Sequence, residues 1–214
     1  LQGDWSSDVC SSDLSSGRQS PEFYAELWET LQRTDRWRGE IWNRRKDGEV
    51  YAEMLSITIV RDSQGGLLRY LAVFTDISRV KEQEHELQRI AHFDVLTGVP
   101  NRRLLKDRLE QAIAHSRRTG KSLAICYLDL DGFKPVNDNF GHAVGDQVLI
   151  EVTRRLHGVL REVDTLARLG GDEFVLLLTE LGHPQEISRI LDRVLASVNT
   201  PLLIEDHKVR VSAS

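Results

Sequence analysis

Cysteine is scarce. Cys10 and Cys126 are the two in 214 residues, too few for a disulfide framework or a cysteine-built metal site. Cys126 sits in the apolar segment Leu123-Ala124-Ile125-Cys126 and reads as a buried, reduced thiol, so the expected compartment is cytoplasmic. No apolar run approaches the roughly 20 residues that cross a bilayer, and no membrane segment is expected in these residues. A surplus of positive charge is also missing. Lys and Arg number 28 against 33 Asp and Glu, a net charge of −5, so no basic face for nucleic acid is expected. An anionic nucleotide would have to be met by a few local cations or by a metal. The remaining composition, 40% hydrophobic and 29% charged, is that of a soluble globular chain long enough for one or two domains.

The most informative stretch is Arg168-Leu169-Gly170-Gly171-Asp172-Glu173-Phe174. Strand-like residues precede it (Leu166 to Leu169) and follow it (Val175 to Leu178), so Gly170-Gly171 is a hairpin turn signal. Glycine permits positive φ and close approach of a ligand to the backbone. The turn is expected to present Asp172 and Glu173 at a strand edge, open to a metal or a phosphate. An ordinary solvated hairpin is the alternative on this stretch alone.

A second stretch bears on that choice. Tyr127-Leu128-Asp129-Leu130-Asp131-Gly132-Phe133-Lys134-Pro135-Val136-Asn137-Asp138 follows an apolar strand, and Asp129 falls where that strand ends. Ligands in open α/β sheets bind at such ends. Phe140-Gly141-His142 and Gly145-Asp146 come next. Together with Asp94-Val95-Leu96-Thr97-Gly98-Val99-Pro100-Asn101-Arg102, these residues resemble the GGDEF family, the diguanylate cyclases, which join two GTP into cyclic di-GMP. The resemblance covers Asp94 to Ser214.

That resemblance implies a nucleotidyl transfer dependent on Mg²⁺ or Mn²⁺. Mg²⁺ takes oxygen ligands, often one or two carboxylates with phosphates and waters. Asp129 and Asp172 suit this if the first strand pairs beside the hairpin. The family adds the backbone carbonyl of Leu130 as a ligand and Asp172 as acceptor of the hydroxyl proton, with Glu173 as the neighbouring carboxylate. Lys134 is a point cation suited to triphosphate oxygens. Guanine offers N1–H and N2–H₂ donors and an O6 acceptor, so Asp146 and Asn137 are the expected base contacts, with His142 in the same pocket. Gly170 and Gly171 line the substrate side of the turn. Arg161-Glu162-Val163-Asp164 ends shortly before Gly170 and matches the family's RxxD inhibitory motif, where product binds. An i,i+3 ion pair between Arg161 and Asp164 is the plainer reading of that spacing.

The N-terminal half has a different pattern. Leu1 to Leu14 is polar and unpatterned, and Asp8 to Leu14 looks like a translated sequencing adapter, so residues 1–14 are set aside from fold reasoning. Ser20-Pro21 opens a helix with an apolar stripe at Phe23, Leu27 and Leu31. Asp47-Gly48 and Gln64-Gly65-Gly66 then separate three strands, the second with Leu55, Ile57 and Ile59 alternating with Ser56 and Thr58. Trp37-Arg38-Gly39-Glu40-Ile41, Asn43 to Gly48 and the closing Asp76-Ile77-Ser78 resemble the second half of a PAS sensor domain. Residues 15–78 are thus expected to be a partial PAS domain whose ligand is unknown. Trp37 and Trp42 read as meander core. Residues 79–93 form a charged helix with a sparse seam at Val80, Leu87 and Ile90, open to two readings: a signalling coiled coil or a solvated linker.

From Asp94 the order reads α-β-α-β-β-α-β. Helix stripes fall at Leu105, Leu109, Ala112 and Ile113, at Val144, Val148, Val152, Leu156 and Val159, and at Ile187, Ile190, Leu191, Val194 and Val198. The fold class is α/β (α+β), resembling nucleotidyl cyclases and polymerase palms. Leu123 to Leu128, nearly continuous in apolar residues, reads as a central strand. The expected protein is a sensor-regulated diguanylate cyclase, homodimeric when whole, with GTP as substrate and cyclic di-GMP as product and feedback inhibitor. The chain is expected to be truncated at both ends and, as written, inactive. A GTP-binding regulatory module attached to a phosphodiesterase, or a sensing and dimerisation module, is the alternative.

Overall fold

The computed structural model describes residues 16–214, so the adapter-like leader lies outside the described residues. The chain divides into two compact units between Glu86 and Leu87.

The first unit is a helix on an antiparallel meander. Helix α1 (Pro21–Thr34) begins where the sequence places it: Ser20 Oγ accepts the Phe23 N–H, and Pro21 occupies a first-turn position whose N–H would have no partner. Strands β1 (Arg36–Arg44), β2 (Val50–Arg61) and β3 (Leu67–Asp76) pair in the order β1-β2-β3. Ile57 stands opposite both Trp37 and Ala72, which puts Leu55, Ile57 and Ile59 on one face. That face buries against Leu27 and Leu31 of α1, with Trp37 packed at the edge of the cluster. Trp42 is half-buried and carries the Arg18 guanidinium 4.2 Å from its ring centroid.

Helix α2 (Ser78–His92) has no buried residue, and Leu87 of its seam is 67% exposed. Both readings of this helix therefore remain open. No helix among the described residues is long and apolar enough to cross a membrane.

In the second unit, Asn101 caps α3 (Arg102–Thr119) by accepting the N–H groups of Arg103 and Leu104. There follow β4 (Ser122–Asp131), α4 (Phe133–Phe140), α5 (His142–Val159), β5 (Thr165–Gly170), β6 (Glu173–Leu181), α6 (Pro184–Asn199), β7 (Leu202–Ile204), β8 (His207–Val209) and β9 (Ser212–Ala213). Strands β5-β6-β4-β9 make one sheet in which every neighbouring pair is antiparallel. Val144, Val148, Val152 and Leu156 from α5 and Ile190, Val194 and Val198 from α6 close over Leu128, Leu130, Leu166, Phe174, Leu176 and Leu178. The mixed α/β class is as expected.

Strand β4 is an interior strand, as expected, between β6 and β9: Leu128 and Leu130 point into the core, while Ile125 and Tyr127 are 44% and 75% exposed. In an antiparallel sheet one face of such a strand can stay open. One local expectation is corrected. Helix α4 is missing from the expected α-β-α-β-β-α-β order. Pro135, Asn137 and Asp138 carry turn preferences, but Pro135 falls in the first turn, where its missing N–H costs nothing. Phe133 and Val136 then anchor the helix in the core, one turn apart.

Candidate functional site

Strands β4 and β6 pair with Leu128 opposite Phe174 and Asp129 opposite Glu173. Leu128 and Phe174 are both buried and hold the end of the ladder in the core. The next pair must then face away from that core. Residues directly opposite share a face with Cβ atoms about 4.5–5.5 Å apart. Asp129 and Glu173 are thus brought together, exposed, at the end of β4 and the start of β6. The condition set by the sequence, that the first strand lies beside the hairpin, is met.

Gly170 pairs with Glu173, so Gly171 and Asp172 alone form the turn. Gly170 has φ 146° and Gly171 φ 54°, backbone states that favour glycine. Asp172 is half-buried beside Glu173. Leu130 stands opposite Ala213, and Asp129 exchanges backbone hydrogen bonds of 3.0 and 3.1 Å with Ser214. Asp131 accepts from Ser214 Oγ at 3.2 Å. Among the described residues no ion pair or side-chain hydrogen bond engages Asp129, Asp172 or Glu173, and no group of three His, Cys, Asp or Glu side chains converges as a cage. The donor set is two or three carboxylates and main-chain oxygen. That suits Mg²⁺, which keeps waters and substrate phosphates in its shell, and does not suit a softer metal.

Gly132, with φ 81°, turns the chain from β4 straight into α4. Lys134 is exposed in the first turn of α4. Asn137 is half-buried against α5, and Gly145 is what admits it: a Cβ there would lie 1.9 Å from Asn137 Oδ1 and 3.4 Å from Phe133 Cζ. Asp146, the next residue, is exposed, as is His142 at the start of α5. The helical hairpin α4–α5 therefore carries Lys134, Asn137, His142 and Asp146 together, following directly on the β4 carboxylate end.

Arg161 and Asp164 lie at the start of β5, the end of the sheet remote from the glycine turn. Their i,i+3 ion pair does not form. Asp164 is buried and accepts two backbone N–H groups, from Arg161 at 3.1 Å and Thr179 at 3.1 Å. The Arg161 guanidinium instead lies 3.6 Å from the Glu186 carboxylate. A cavity of about 680 Å³ opens at this end, bordered by Arg108, His115, Lys121, Asp164 and Glu180.

One network was not foreseen. Asp94 Oδ1 accepts from Thr97 N (2.9 Å), Thr97 Oγ1 (2.6 Å) and Arg168 Nη1 (2.8 Å). Arg168 also donates through Nε and Nη2 to the Gly171 carbonyl at 3.0 and 2.8 Å. Burial pushes the Asp94 carboxyl up, but the Thr97 and Arg168 hydrogen bonds and the Arg168 charge outweigh it and hold the group below the usual carboxylate range. The signal present in the sequence was an Asp followed three residues on by Thr, an Asx-turn pattern.

Residues 91–214 match the family described as diguanylate cyclase, GGDEF domain, and residues 7–79 match the PAS domain family. The bifunctional diguanylate cyclase/cyclic di-GMP phosphodiesterase MucR of Pseudomonas aeruginosa is 48% identical over 129 residues, 60% of this chain and 19% of MucR. The diguanylate cyclase TpbB of the same species is 40% identical over 129 residues, 60% of this chain and 30% of TpbB. The chain therefore spans less than a third of either relative. Among solved structures, the coiled coil and GGDEF domain of DgcB from Caulobacter crescentus, in complex with c-di-GMP, has a TM-score of 0.57 at 27% identity and covers 64% of this chain and 74% of that one.

Proposed function

This chain belongs to the diguanylate cyclase GGDEF family, and on that premise we propose that the protein carrying it condenses two GTP into cyclic di-GMP and pyrophosphate under the control of its PAS domain. Residues 15–78 act as the sensor, 79–93 as the signalling helix and 94–214 as the cyclase domain. The observation that carries the reading is the register: Asp129 opposite Glu173, with Asp172 on the glycine turn beside them.

In this reading the 3′-hydroxyl of one GTP attacks the α-phosphorus of the other, the bond to pyrophosphate breaks, and the hydroxyl proton passes to Asp172 or to water. Asp129, the Leu130 carbonyl and Asp172 would hold Mg²⁺ or Mn²⁺, which when bound polarises phosphate oxygens and lowers the pKa of the hydroxyl. Glu173 adds a carboxylate on the same face. Gly170 and Gly171 let the triphosphate approach the backbone, and Lys134 offsets its charge. Asn137 and Asp146 read the guanine edge, with His142 beside them. Arg161 and Asp164 take product as a feedback site.

Each chain brings one GTP, so two copies must face each other, and the exposed seam of α2 suits a homodimer. Nucleic acid is not a partner in this reading, the described residues hold no helix that could cross a membrane, and the setting is cytoplasmic. MucR is bifunctional, which favours one second reading: the domain binds GTP and regulates an attached phosphodiesterase. One assay separates the two. The whole protein is incubated with GTP and Mg²⁺ and the products are resolved by chromatography. Cyclic di-GMP with pyrophosphate supports the cyclase; bound GTP with no product supports the module.

A further inference from the structure

Arg168 joins three segments. Its backbone N–H donates to the Pro100 carbonyl at 3.0 Å, and its guanidinium spans the Asp94 carboxylate and the Gly171 carbonyl. The Arg168 and Asp94 side chains are 11% and 21% exposed, so these charge-assisted bonds are shielded from solvent.

The Asp94 side of this network is stapled to the end of α2. The His92 carbonyl accepts the Asn101 N–H at 2.9 Å, and the Ile90 carbonyl accepts Asn101 Nδ2 at 3.3 Å. Phe93 pairs with Pro100 as an isolated bridge. Asp94 N–H donates to Val99 and its carbonyl accepts from Gly98, both at 2.8 Å. Residues 93–101 are therefore a closed clasp. Its one end is the last turn of α2; its other contacts are Pro100 and Asp94 on Arg168.

We propose that Arg168 is a positioning residue for the Gly171–Asp172 turn, and that the clasp at residues 93–101 makes this turn follow the C-terminal end of α2. The turn's backbone is glycine at Gly170 and Gly171, so its own dihedral preferences hold it weakly. Two donors on one carbonyl fix the Gly171 peptide plane, and with it the direction of Asp172. A planar, five-donor guanidinium can hold a carboxylate and a carbonyl at once; an ammonium cannot reproduce that fork. A shift of the last turn of α2 moves the clasp, the clasp moves Arg168, and Arg168 moves the turn. The functional consequence rests on the reading of Asp172 as a metal ligand; the mechanical linkage does not.

The test uses the 214-residue chain and two readouts independent of turnover: hydrogen–deuterium exchange of the amides and titration with Mn²⁺ alone, followed by electron paramagnetic resonance. Arg168→Gln is expected to speed exchange at Leu169 to Glu173 and to weaken Mn²⁺ binding, each about tenfold, the loss of one or two charge-assisted hydrogen bonds. Leu176 to Leu178 should be unchanged. Asp94→Asn, which retains an acceptor for Thr97, should act in the same direction less strongly, and Arg168→Lys should recover only part of the protection. Unchanged exchange at the turn in Arg168→Gln, or faster exchange throughout the sheet, overturns the positioning role. Unchanged exchange in Asp94→Asn overturns the link to α2. Faster exchange at the turn in a chain that binds no Mn²⁺ even as wild type upholds the linkage and counts against the metal reading of Asp172.

Discussion

Gly145→Ala is a small change with opposed consequences. In a helix interior, Ala in place of Gly gains about 1 kcal/mol of propensity. Here the new methyl would fall 1.9 Å from Asn137 Oδ1 and 2.9 Å from Asn137 Cγ. Such overlap cannot persist, and overpacking costs about 1–3 kcal/mol where neighbours are rigid. The nearest atoms belong to the end of a half-buried side chain, so Asn137 can rotate away, and only the 3.4 Å contact with Phe133 Cζ remains in the core. The two stability effects should nearly cancel, leaving the melting temperature within a few degrees of wild type, roughly 1 kcal/mol. The functional effect should not cancel. If Asn137 reads guanine as proposed, its displacement leaves a guanine group unpaired, a loss of about 1–3 kcal/mol, so the preference for GTP over ATP should narrow about tenfold or more. Competitive binding of the two nucleotides, measured beside a thermal melt, gives both numbers. A variant that melts normally and discriminates as well as wild type would refute the placement of guanine against Asn137.

Two further outcomes follow from the geometry. Arg161→Ala should relieve inhibition by cyclic di-GMP with little loss of stability, because the ion pair it gives up with Glu186 is a surface one worth about 0–1 kcal/mol; equal product affinity in calorimetry would remove Arg161 from that site. Glu53 is buried, and burial raises its carboxyl above the usual range against the hydrogen bonds from Tyr51 and Asn43. A raised folded-state pKa gives stability that is fully present below the unfolded value of about 4.3 and is lost as pH rises through the folded value. All four tryptophans precede residue 87, so fluorescence reports the first unit alone. The stability of Glu53→Gln relative to wild type should therefore increase with pH above about 4.3, and a difference that does not vary with pH would contradict this.

The readable parts of the chain were those where one period dominates. Leu27 and Leu31 on α1, the alternation of Leu55, Ile57 and Ile59, and the stripe from Val144 to Leu156 each have one buried face, and each folds as its pattern implies. The glycine turn was legible because Gly170-Gly171 lies between two apolar strands. Helix α4 was hidden, since Pro135 and Asn137 carry loop preferences that core packing of Phe133 and Val136 overrides. Strand β4 was legible as the interior strand it is, between β6 and β9, although Ile125 and Tyr127 are apolar without being buried. The spacing of Arg161 and Asp164 suggested an ion pair, but Asp164 takes the N–H of Thr179, a donor 15 residues away that leaves no mark in local spacing. The Asp94–Arg168 contact was invisible for the same reason: its partners are 74 residues apart.

In the proposed reading, the Gly171–Asp172 turn and the end of β4 form the metal-dependent centre of a cyclase. The direct measurement is the initial rate of cyclic di-GMP formation from GTP and Mg²⁺ by the whole protein and by its Asp172→Ala variant, with GTP binding followed in parallel. The loss of a metal contact to developing phosphate charge should lower turnover by roughly two orders of magnitude or more, with guanine recognition by Asn137 and Asp146 retained. A variant that turns over GTP at a near-normal rate would contradict the account.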